Sequence, residues 1–176
     1  MIQRNAVRSC WRIGKSVKSG RGTHGAEVEG DDMNVFQKLM HDHRISEQLF
    51  AEIERTSDKE TERRKQLFRE LRAGLEAHEI LEEEILYPEI EQSPSTKLVI
   101  GDALEAHAEF DAVLQEISEI PANKSEWIDR IRELREMIYE HVRMEEETLF
   151  PAAGTQFSET RAEELGQQIE ERTRNI

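Results

Sequence analysis

Apolar residues recur along most of this chain with the three-and-four spacing of amphipathic helices. The first stripe runs from about Met33 to Arg55 through Phe36, Leu39, His43, Phe50 and Ile53. A second extends to about Ile90 as Leu67, Leu71, Leu75, His78, Glu82 and Ile85, with Ser57 and Glu60 spaced as a capping box ahead of it. The third, from about Ser95 to Ile120, reads Ile100, Leu104, His107, Leu114 and Ile117, and Pro121 closes it. In the fourth, which Ser125 is placed to cap, the stripe is Ile128, Ile131, Leu134, Ile138, His141, Glu145 and Leu149. A shorter, more polar segment from Ser158 to Arg174 predicts a fifth helix.

Histidines and carboxylates interrupt these apolar seams at matched places. His43, His78, His107 and His141 fall one to a helix, and Glu82 and Glu145 continue two of the seams one turn later. Four residues of α-helix turn through about 400° and climb ~6 Å, so His78 stacks with Glu82 and His141 with Glu145. A buried imidazole, and far more a buried carboxylate, costs several kcal/mol unless something in the core offsets its lost hydration.

The chain also repeats itself. HEILEEEILYP, from His78 to Pro88, and HVRMEEETLFP, from His141 to Pro151, share six of eleven positions. HRISEQLFAEI and HAEFDAVLQEI match around His43 and His107, each with an acid four residues on, Glu47 and Asp111. Two helical hairpins of one design predict an all-α fold, an antiparallel up-down four-helix bundle with a pseudo-twofold axis and an additional short C-terminal helix.

Converging four His and two Glu fit two metal ions about 3.5 Å apart, each with two imidazoles and both carboxylates bridging. Nitrogen and oxygen donors with room for water or an oxo bridge suit iron or manganese. A structural zinc site prefers thiolates, which are missing here. The di-iron pattern of ferritin-like bundles needs Glu three residues before His, and none of the six histidines has it. Glu47 and Asp111 read as outer partners or exposed groups more readily than as metal ligands, though either could join the metal shell. His41, Glu79, Glu83, Glu84, Glu146 and Glu147 read as solvated charge, and Met40, Met137 and Met144 as packing.

These residues resemble the hemerythrin-like proteins with their HHE cation-binding domain. The resemblance lies in Asp42-His43, in the two His-x-x-x-Glu-Glu motifs ending Leu-Tyr-Pro and Leu-Phe-Pro, in Glu105-x-His107, and in the terminal SETRAEELGQQIEE, across roughly residues 33–170. It implies a non-haem di-iron centre held by His43, His78, Glu82, His107, His141 and Glu145, which binds dioxygen or reacts with it, with peroxide or with nitric oxide. Oxygen-carrying hemerythrins use five histidines, and where their third helix offers a second one this chain has Asp111. Three functions follow: dioxygen storage or sensing, oxidoreduction of peroxide or nitric oxide, and iron storage or donation.

Charge narrows the partners. The net charge of −14 argues against nucleic acid or an anionic membrane surface, and no apolar run approaches the ~18–20 residues of a membrane span. One cysteine, Cys10, fits a reducing cytoplasm. Residues 1–26 carry six Lys/Arg and no acid, which leaves about −20 for the remaining 150. Residues 1–32 therefore read as a basic leader outside the bundle domain of 33–176. It is an organelle-type presequence, a disordered arm, or translated sequence upstream of a start at Met33.

Overall fold

The first stripe folds as α1, Val35–Glu54, and its start is chemically specified: Asn34 Oδ1 accepts from the Gln37 N–H while Gln37 Oε1 accepts from the Asn34 N–H, both at 3.0 Å. The computed structural model describes residues 33–176; the expected leader lies outside them. α2 (Thr61–Leu81) runs without a break through a π-helical turn, Glu82–Leu86, into α3 (Tyr87–Ile90). α4 spans Pro94–Glu119. α5 (Ser125–Met144) passes through a second π turn, Glu145–Leu149, into α6 (Phe150–Gly154), and α7 (Glu159–Thr173) ends the chain.

The expected all-α bundle is thus the fold, with four long rods and a terminal helix. Two expected caps differ. The Ser57 N–H and hydroxyl both donate to the Glu60 carboxylate, at 2.8 and 2.9 Å, so this pair closes the turn before α2 and leaves Glu60 as its N-cap. Lys124 takes the N-cap of α5, with Ser125 already helical.

A polar layer divides the core. On one side Leu49, Phe50, Leu67, Leu71, Phe110, Leu114, Trp127 and Ile131 pack together; on the other lie Val35, Leu39, Leu81, Leu86, Ile100, Ala103, Leu149 and Leu165. Along each rod a histidine stands between the two groups. Two seam positions shift from expectation. Leu104 is 42 % exposed while Ala103 is fully buried, because the four-three alternation through His107 and Phe110 selects Ala103. Ile85 lies at the margin and Leu86 is fully buried, since the π turn adds one residue before the seam resumes.

α7 covers the second apolar group with Ala162, Leu165 and Ile169. A Cβ at Gly166 would stand 2.4 Å from the Met33 carbonyl oxygen, so only glycine permits this approach to the start of α1. Gly166→Ala is expected to destabilise the protein by about 1–3 kcal/mol, read as a lowered midpoint in thermal unfolding.

Candidate metal centre

The polar layer is built by one residue from each long rod and one from each π turn. His43 on α1 and His78 on α2 face each other with Nε2 atoms 3.1 Å apart; His107 on α4 and His141 on α5 do so at 3.3 Å. Glu82 and Glu145 open the two π turns, and neither has any exposed surface. Glu82 presents Oε1 to His78 and Oε2 to His107, each at 3.5 Å from Nε2. Glu145 presents Oε2 to His43 at 3.2 Å and Oε1 to His141 at 3.3 Å. Each carboxylate therefore spans two half-sites, and each half-site gathers two imidazole nitrogens and two carboxylate oxygens within 4.8 Å of one another.

The donor set fits metal ions on its own chemistry. Two ligands at right angles on a metal, each bound at about 2.1 Å, lie about 3 Å apart, which is the spacing of the paired Nε2 atoms. His43 Nδ1 lies 2.8 Å from Glu146 Oε1, and His107 Nδ1 lies 2.9 Å from Glu83 Oε1. A ring that donates from Nδ1 keeps, when neutral, a lone pair on Nε2, aimed here into the layer. Glu82 Oε1 and Glu145 Oε2 are buried with no hydrogen-bond donor among the described residues. Such oxygens cost several kcal/mol unless a cation meets them. With nitrogen and oxygen donors and no thiolate, iron or manganese suits the cage better than structural zinc.

Without metal, protons take its place. Burial resists charge on His78, yet Glu82, Asp42 and Glu145 outweigh it and raise its pKa well above the usual imidazole range. His107 is likewise raised to about 9, against burial, by Glu82 and Glu83. His43, desolvated and beside the charge on His78, falls to about 4 and so accepts from its neighbour. Burial also resists ionisation of Glu82, but His78 and His107 hold it well below the carboxylate range, whereas burial and the Glu82 charge push Glu145 up to about 7.

The outer groups include three acids expected to be solvated. Glu146, from the second hairpin, binds His43 of the first; Glu83, from the first, binds His107 of the second. Both stand five residues after a repeat histidine, and their identity in the two copies was the available signal. Glu79 is buried, with a pKa raised to about 8 by desolvation and one oxygen lacking a partner. Glu84 pairs with Arg172, and Glu147 and His41 are exposed, as expected. Glu47 pairs with Arg135 and Asp111 is exposed, so neither joins the layer.

Tyr87 was not singled out by its pattern. Five residues of α-helix would carry it about 140° from Glu82; the π turn brings it round, and its hydroxyl donates to Glu82 Oε2 at 3.0 Å and Glu145 Oε1 at 3.3 Å. Burial and those two carboxylates push its pKa up, so it remains a donor.

A small cavity adjoins the rings. The four histidines form one wall and Leu75, Phe110, Ile138 and Val142 another, with Ser46 and Glu79 as its other polar groups. The centre of a water-sized sphere can roam about 20 Å³ of it, which holds a water or a diatomic molecule and little more.

Comparison with known proteins agrees with the fold and with a cation-binding domain. The model of the hemerythrin HHE cation binding domain matches residues 34–153. The chain is similar to a DNA nickase of Nostoc sp. (strain PCC 7120), 29% identical over an alignment of 168 residues that covers 91% of this chain and 46% of that one. It thus spans about half the length of that curated relative. Its fold is that of a hemerythrin HHE cation binding domain-containing protein of Mycobacterium kansasii, with TM-score 0.73 and 22% identity over 81% of this chain and 86% of the other. The chain belongs to the hemerythrin HHE cation-binding domain family.

Proposed function

We propose that this chain is a non-haem di-iron protein, its ions held by His43, His78, Glu82, His107, His141 and Glu145, that binds dioxygen or a related small ligand for storage or sensing. The observation that supports this reading is the small cavity against the four rings, with room for a water or a diatomic molecule beside them. The iron would supply the electrons and the open coordination positions such a ligand needs. Leu75, Phe110, Ile138 and Val142 give that side of the rings an apolar wall, and the buried Glu79 carboxyl faces the same space.

Mixing the reduced, iron-loaded protein with dioxygen under anaerobic control is the test. A coloured adduct that reverses on deoxygenation is expected, and Glu79→Leu is expected to shorten its lifetime. Rapid irreversible oxidation would contradict storage and sensing.

A second reading, oxidoreduction of peroxide or nitric oxide, draws on one specific observation. Asp111 stands exposed where an oxygen carrier has a further imidazole, so each half-site has four protein donors and positions to spare. Steady-state consumption of either substrate, lost in His78→Ala, would establish it. A store that donates iron fits less well, since both carboxylates that span the half-sites are fully buried.

The activity in the Nostoc relative's name is that of a chain about twice as long. A charge of about −20 over residues 27–176 opposes approach to polyphosphate, so nucleic acid is no part of this proposal. Among the described residues no helix is long and apolar enough to cross a membrane. A cytoplasmic setting, suited to a single cysteine, completes the reading.

A further inference from the structure

The hairpins are related by a pseudo-twofold, yet two departures from that symmetry favour the half-site of His43 and His78 over the other. Tyr87 and Phe150 are equivalent in the repeat, and each ring lies along a histidine: Phe150 on His43 at 6.0 Å, Tyr87 on His107 at 6.1 Å. Only Tyr87 has a hydroxyl, and both oxygens it reaches, Glu82 Oε2 and Glu145 Oε1, face His107 and His141. The oxygens facing His43 and His78 are the two that no donor touches.

A second departure lies behind the rings. Asp42 precedes His43, where the other hairpin has Ala106 before His107. Its buried carboxylate lies 3.6 Å from His78 Nδ1, slightly beyond a hydrogen bond, and neither of its oxygens has another partner. The equivalent atom, His141 Nδ1, is buried with no partner among the described residues.

Both departures act on ligand strength. A carboxylate oxygen that already accepts an O–H has less electron density to give a cation, though its second lone pair stays available. A carboxylate behind an imidazole raises its basicity; a hydrogen-bonded outer partner is worth about 10–100-fold in metal affinity, and Asp42 at 3.6 Å stands at the lower end of that range. We infer that the centre fills in order: the half-site of His43 and His78 takes the first divalent cation, and that of His107 and His141 takes the second at least about 10-fold more weakly. This inference rests on the dinuclear reading proposed above.

Titration of the metal-free full-length chain with Zn²⁺, a diamagnetic probe, tests it through the ring-nitrogen NMR signals of the four histidines. At one equivalent the Nε2 signals of His43 and His78 are expected at metal-bound positions, with those of His107 and His141 following only at the second. Tyr87→Phe is expected to strengthen the second step by about 3–10-fold, the worth of one hydrogen bond, which the loss of a merely structural contact would not do. Parallel movement of all four rings up to two equivalents would overturn the order and leave the dinuclear reading standing, as would His107 and His141 moving first. Saturation at one equivalent overturns both.

Discussion

Glu145→Ala is expected to empty both half-sites at once, while His43→Ala empties one. The difference comes from the way the second π turn aims its first residue: Glu145 Oε2 lies 3.2 Å from His43 Nε2 and Oε1 lies 3.3 Å from His141 Nε2. Its removal takes one of four protein donors from each half and leaves Glu82 alone to span them. Loss of an outer partner alone costs about 10–100-fold in affinity, so loss of a shared donor is expected to exceed about 100-fold at each half. The metal-free fold is expected to survive, because the variant also removes a buried acid that desolvation and the Glu82 charge disfavour. Metal content per chain and a metal-free melting curve measure the two halves of this expectation. Full loading of one half-site in Glu145→Ala would contradict the bridging role.

Stripping the metal is expected to lower the melting temperature by about 10–20 °C. At an ion concentration 100 times Kd, each site contributes about 2.7 kcal/mol, and a chain of this size loses about 2–4 °C per kcal/mol. The metal-free protein is then expected to become less stable as pH rises above neutrality. His78 and His107 have folded pKa values above the unfolded value of 6.5, so their contribution is complete below 6.5 and disappears as pH rises through them, for His107 through about 9. Glu79 acts in the same direction, bound to its proton in the folded state until about 8. In the loaded protein those histidine protons are already displaced, so its alkaline decline is expected to be shallower. Scanning calorimetry of both forms at pH 7 and pH 9 measures the contrast; a metal-free protein that gains stability at the higher pH would contradict it.

Periodicity alone located the rods and brought six polar side chains to one level, because a seam position costs too much to hold an unpartnered carboxylate by accident. It puts Ile85 on the seam in place of Leu86 for a definite reason: a constant 3.6-residue turn does not hold where the backbone inserts a π turn. The same insertion hid Tyr87, which a regular helix would carry to another face. The acids Glu83 and Glu146 keep solvent-facing surface, as expected, but a stripe reports only on its own helix and does not show their second role. Each of them reaches across to a histidine of the other hairpin, and that contact exists only once the hairpins are packed. Glu79 was missed differently, since a carboxyl just off the seam is buried by neighbouring rods that no single stripe describes.

Anomalous diffraction at the iron edge, on crystals of the iron-loaded chain, distinguishes a shared dinuclear centre from any other use of these residues. Two peaks about 3.5 Å apart are predicted, one between His43 and His78 and one between His107 and His141, with Glu82 and Glu145 spanning both. A single peak, or peaks among surface carboxylates away from the four rings, would contradict it.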